Sequence, residues 1–139
     1  MAIKGIKQPE IIQLDDSLRL RKFDGKYDFA LEWYQDLDLV WMVVGDRVPY
    51  TPELLTRMYT WLDNEGELYF IEILEEGEYL PVGDVCLWKE DMPIVISTPY
   101  QKKGIYFCCH NHFCHKYCCS FLYRNQTTPP SRQCPARSR

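Results

Sequence analysis

The chain has 139 residues, enough for one ordinary domain, and its 46% hydrophobic and 14% aromatic content supplies an ample core. Its formal net charge of -4 argues against nucleic acid as the main partner, because gripping phosphates needs clustered Lys and Arg. No run approaches the roughly 20 apolar residues of a membrane span, and the polar N-terminus lacks a signal-peptide core, so a cytoplasmic protein without a membrane partner is expected.

In chain order, Leu18-Arg19-Leu20-Arg21-Lys22-Phe23 alternates apolar and basic residues, as a half-buried strand does. Gly25 punctuates it, and the segment Tyr27 to Gln35 carries Ala30, Trp33, Tyr34 and, just beyond, Leu37 at helical spacing. A second helix starts with Thr51 as N-cap, Pro52 in the first turn and Glu53 at the positive end of the dipole. Its buried stripe is expected to be Leu55, Met58, Tyr59 and Leu62. Leu68 to Leu74 reads as a strand, Glu75-Glu76-Gly77-Glu78 as a hairpin turn, and Tyr79 to Trp88 as the returning strand. Pro81 and Gly83 in that return imply a bulge or an edge position. Asp91-Met92-Pro93 then turns the chain into the β-branched run Ile94-Val95-Ile96, and Gln101-Lys102-Lys103-Gly104 follows as a loop that opens a helix.

The composition changes abruptly there. All 20 acidic residues and 11 of the 16 Lys and Arg lie in residues 1–104, giving that part a formal charge near -9. Residues 105–139 contain no Asp, Glu or Gly, yet hold six of the seven Cys and all three His. A natural basic module and translation out of frame both fit; the second is favoured, since acids are a steady fraction of ordinary sequence. The expected division is therefore a partial domain over 1–106 and a Cys/His-rich basic tail over 107–139, out of frame and disordered. Cys86 is the only cysteine before the change, which suits a reducing compartment.

The strand followed by Gln-x-x-Gly resembles the pyrophosphate loop of the GNAT N-acetyltransferase superfamily, whose signature is Gln/Arg-x-x-Gly-x-Gly/Ala. Glu32-Trp33-Tyr34, Gly66 to Ile71 and Pro81-Val82-Gly83-Asp84-Val85 extend the likeness over 18–104. Its tone is that of bacterial small-molecule acetyltransferases, some of which modify aminoglycosides. The resemblance implies a mixed α/β fold of which the N-terminal part, β-α-α-β-β-β, is present and the later strands and helix are missing. It also implies acetyl-CoA as cosubstrate, transfer to the primary amine of a small molecule, and no metal.

Carried over residue by residue, the donor site falls on Ile94, Val95 and Ile96, whose backbone would meet the pantetheine arm, and on Gln101, Lys102, Lys103 and Gly104 around the pyrophosphate. A solvated turn is the alternative for the tetrapeptide. Tyr106 stands where the signature has Gly or Ala, and its ring is expected to impede the phosphates. A carboxylate that accepts the ammonium proton is provided by Asp84 or Asp91, unless the first caps a bulge and the second only starts a turn. Trp33 and Tyr34, with Trp41 and Tyr50, line an acceptor pocket or else belong to the core, and Asp36 attracts the amine or is merely solvated. The tail gathers eight Cys and His within Cys108 to Cys119, without the paired spacing of a structural zinc site. Two other readings follow: a non-catalytic, degenerate GNAT-like binding protein, and a zinc-binding adaptor built on the tail.

Overall fold

The computed structural model describes residues 7–88 and 92–117. Its elements run β1 (Ile11–Gln13), β2 (Leu18–Lys22), a 3-10 turn (Asp28–Ala30), α1 (Leu31–Gln35), α2 (Leu37–Val44), α3 (Pro52–Glu65), β3 (Glu67–Glu75), β4 (Glu78–Leu87), β5 (Ile94–Ile96), a second 3-10 turn (Thr98–Tyr100) and α4 (Ile105–Tyr117). The strands form one antiparallel sheet in the order β1-β2-β3-β4-β5.

Alternation along the strands divides the core between the two faces of the sheet. Leu18 and Leu20, Tyr69 and Ile71, and Val85 and Leu87 share one face with Ile105, Cys108, Cys109 and Phe113 of α4. Leu68, Phe70, Cys86 and Val95 point the other way, toward Trp33 and Tyr34 of α1, Leu39 of α2, and Leu55, Tyr59 and Leu62 of α3. On that second face Arg19 and Arg21 converge on the nearly buried Glu72 at 2.9 and 3.1 Å, so its carboxylate is paired twice.

The β3–β4 hairpin turns through Glu76 and Gly77, both at positive φ (51° and 80°), with Glu75 opposite Glu78. The irregularity expected at Pro81 is a bulge: Gly83 pairs with Ile71 and Pro81 with Glu72, leaving Val82 as the extra residue. Gly83 has a second role, since a Cβ there would strike the Val95 carbonyl of β5.

α3 agrees with its sequence pattern. Thr51 Oγ1 accepts from the Leu54 N–H at 3.2 Å, and Leu55, Tyr59 and Leu62 are buried with Met58 packed against them. The helix expected over Tyr27 to Gln35 forms as the 3-10 turn running straight into α1, and it stops at Asp36. Asp36 adopts an extended ψ of 111° and its carboxylate captures the N–H groups of Asp38 and Leu39, so a new helix, α2, begins there. Gly45, at φ 73°, ends it with its N–H on the Trp41 carbonyl. β1 is likewise additional to the expected order. α4 runs across the 106/107 boundary suggested by composition, and residues 118–139 lie outside the described residues.

Candidate functional site: a cleft along the β5 edge

Among the described residues β5 is the last strand of the sheet, so one of its backbone edges is left for another group. Register decides which groups these are. The Cys86 N–H donates to the Pro93 carbonyl at 3.1 Å and the Ser97 N–H to the Val82 carbonyl at 2.8 Å. Asp84 and Val95 lie two residues from each pair and are in the same hydrogen-bonded phase, so Val95 spends its backbone on β4. The N–H and C=O groups of Ile94 and Ile96 therefore point outward.

A cleft of about 570 Å³ lies along this edge. Leu39, Met42 and Val43 of α2 form one wall, Ile94, Val95 and Ile96 the floor, and Ile105, Tyr106 and Phe107 of α4 the other wall. Tyr100, Gln101, Lys102 and Gly104 close the end nearest the α4 N-terminus. The lining is mainly apolar, with few polar groups, as small-molecule sites are.

The loop at that end is held in a definite shape. Lys102 and Gly104 both take left-handed conformations, φ 63° and 80°. Glycine adopts this freely, while Lys102 does so at a steric cost. Gln101 donates its side-chain amide to the Ile96 carbonyl at 2.9 Å, tying loop to strand. The first helical bond of α4 runs from the Cys108 N–H to the Gly104 carbonyl. The N–H groups before it form the positive end of a helix of 13 residues, a place suited to an anion. Lys103 leaves the cleft and lays its ammonium 5.1 Å from the Tyr100 ring centroid. The Tyr106 ring borders the cleft and is stacked with His110, 6.1 Å between centroids.

Asp84 sits behind the cleft floor rather than in it. Its Oδ2 accepts from the Tyr34 hydroxyl at 2.7 Å and from the Tyr59 hydroxyl at 2.8 Å, joining β4 to α1 and α3. Burial pushes its carboxyl up to about 6 and outweighs the two hydrogen bonds, which favour the charged form. Burial, then the nearby Asp84 charge, raises both phenols, so Tyr34 and Tyr59 remain donors. The same causes lift the Cys86 thiol to about 12, leaving it an unreactive core group.

Of the other residues singled out by sequence, Trp33 and Tyr34 are buried in the aromatic core around Tyr59 and Phe70. Asp36 caps α2 and also accepts from the Thr98 hydroxyl at 2.6 Å, which with the backbone N–H bonds holds its carboxyl below the usual range. Asp91 lies outside the described residues. The structure thus brings Ile94, Val95, Ile96, Gln101, Lys102 and Gly104 together, and sets Trp33, Tyr34 and Asp84 in the layer beneath. Sequence reasoning missed the α2 wall; the signal was present in Asp36 as N-cap and Gly45 as stop, eight residues of helix apart.

The same arrangement of strands and helices defines the mixed α/β fold of GNAT acetyltransferases. Among solved structures, the microcin C7 self-immunity acetyltransferase MccE, in complex with acetyl-CoA and AMP, matches with a TM-score of 0.57 at 15% identity, over 82% of this chain and 70% of that one. RimL, the ribosomal L7/L12 alpha-N-protein acetyltransferase, matches at 0.54 and 16% identity, over 81% and 67%. An acetyltransferase from Salmonella typhimurium that modifies the N-terminal serine of L7/L12 gives 0.53 and 15%, over 78% and 70%. No protein-family model matches the sequence, and comparison with curated proteins gives no match.

Proposed function

We propose that this chain is an acyl-CoA-dependent N-acetyltransferase that moves an acetyl group from acetyl-CoA to the primary amine of a small molecule. One observation carries the reading: an unpaired strand edge, β5, runs along an apolar cleft and ends at a glycine-bearing loop and a helix N-terminus. An extended arm bearing amides fits the edge, and a pyrophosphate fits the helix start beside Gln101, Lys102 and Gly104. Lys103 adds positive charge near that end.

The donor supplies a thioester, whose carbonyl carbon the neutral amine attacks. The tetrahedral oxyanion then collapses, the C–S bond breaks, and CoA leaves as a thiol that takes up a proton equivalent to the one the amine loses. The chain's part is to orient that carbonyl along β5 and offer outward N–H groups to the oxyanion that develops. The amine must lose a proton, and Asp91, just ahead of β5, is the candidate acceptor. Asp84 acts through Tyr34 and Tyr59, keeping the floor of the cleft in place. Trp33 and Tyr34 support the acceptor side from the buried layer beneath the cleft, and Asp36 from the N-cap of α2.

Calorimetric titration of the full chain with acetyl-CoA tests the donor half of this reading, and an absence of binding overturns it. Thiol release measured against an aminoglycoside, a simple polyamine and a peptide with N-terminal serine tests the acceptor half. Transfer to the peptide alone removes the small-molecule assignment.

A second reading, that of a degenerate, non-catalytic relative, is favoured by one residue. Tyr106 places a ring on the cleft wall in the first turn of α4. Tyr106→Gly is expected to tighten acetyl-CoA binding by about 1–3 kcal/mol, as backbone donors meet the pyrophosphate they were kept from. Robust acetyl transfer by the unaltered chain rejects this second reading.

A further inference from the structure

Gln101 borders the loop that would hold the pyrophosphate, yet its side chain faces the strand. Its amide donates to the Ile96 carbonyl at 2.9 Å, in a partly buried position. That carbonyl is one of the few acceptors on the outward edge of β5, because the backbone of Val95 is paired with β4. A ligand arm that pairs with an edge strand reads alternate residues, so Ile94 and Ile96 offer two equivalent anchoring points and two registers. The two registers differ by two residues, about 7 Å along the strand, and only one of them leaves a thioester at a given place in the cleft.

We infer that Gln101 is a positioning residue: by occupying the Ile96 carbonyl it leaves Ile94 as the anchor and fixes the donor arm in a single register. This rests on the acetyltransferase reading above and goes beyond it. The geometry around the contact supports the assignment. The Gln101 N–H is held by the Thr98 carbonyl at 3.2 Å, and the Tyr100 N–H by the Ser97 carbonyl at 2.9 Å, so the 3-10 turn aims this side chain back along the strand. The left-handed Lys102 then reverses the chain away from it. A side chain so directed does not reach out to phosphates; those fall to the backbone beyond Gly104.

The test uses the isotopically labelled full chain and nuclear magnetic resonance, with acetyl-CoA and, separately, adenosine diphosphate as ligands. With acetyl-CoA, the Ile94 backbone amide is expected to shift and gain exchange protection, while the Gln101 side-chain amide stays put and protected. Gln101→Met keeps the shape without the donor. It is expected to show a second set of Ile94 signals in the acetyl-CoA complex, from a second register, while its dissociation constant for adenosine diphosphate stays within about twofold. Gln101→Arg, which can still donate to the carbonyl, is expected to restore the single set. Displacement of the Gln101 amide in the unaltered chain, by either ligand, overturns the inference, as does a single unchanged set of signals in Gln101→Met. Should Gln101→Met fail to fold, the Gln101 signal of the unaltered chain decides alone. If the unaltered chain binds no acetyl-CoA, the proposed function falls and this inference with it; binding with a displaced Gln101 removes the inference only.

Discussion

Asp84 shows how far a residue's role depends on the side of the strand it occupies. As a carboxylate in a strand after a glycine, it is a plausible base; in the fold it is enclosed by two phenols with both bonds on one oxygen. Its carboxyl is raised from 3.8 to about 6, so the neutral form is the one the folded state prefers. The linked stability is fully present below the unfolded value and is lost as the pH rises through about 6. The lost amount is about 3 kcal/mol for a shift of this order. Asp84→Asn keeps an oxygen able to accept from Tyr34 and Tyr59 and carries no charge. It is expected to match the parent near pH 4 and to exceed it in melting temperature at pH 8. Parallel melting curves for the two proteins, with no divergence between these limits, reject the account.

At the scale of elements, the regular pieces were legible and the breaks were not. α3 declared itself through Thr51, Pro52 and a stripe at helical spacing, and the β3–β4 hairpin through Glu76-Gly77 between two apolar runs. The meeting of Ile94 to Ile96 with Gln101, Lys102 and Gly104 along one cleft was also legible, because strand, loop and helix start are adjacent in sequence. α2 and the cleft wall it builds were hidden, since the aromatic spacing over Tyr27 to Gln35 accounted for one helix and gave no sign that Asp36 starts another. A cleft wall depends on which helix faces the sheet edge, and only the fold supplies that. Asp36 therefore carries an element. It starts α2 and pins it to Thr98, beyond β5. Asp36→Ala is expected to cost about 1–2 kcal/mol, a cap together with a side-chain hydrogen bond. Denaturant unfolding measures it, and a double-mutant cycle with Thr98→Val separates the two parts. Equal losses for Asp36→Ala and Asp36→Asn contradict the cap, because Asn still accepts from the first turn.

For the molecule as a whole, the two faces of the sheet are covered unequally. Three helices from the middle of the chain close one face, whereas α4 closes the other, with Ile105, Cys109 and Phe113 fully enclosed. Phe113→Ala is expected to destabilise by about 3–5 kcal/mol, as removal of a buried ring does. A loss under about 1 kcal/mol, below what a small truncation in a packed core costs, shows that this face does not depend on α4. The asymmetry also has a consequence for how the protein comes into being. During synthesis the chain emerges from its N-terminus, and all five described strands precede α4. The face closed by α1, α2 and α3 can assemble once β5, with Val95, has emerged. Leu18, Leu20, Tyr69, Ile71 and Val85 must wait until residue 113 follows. Until then the nascent chain is a half-covered sheet whose second apolar face stands open to solvent and to other chains.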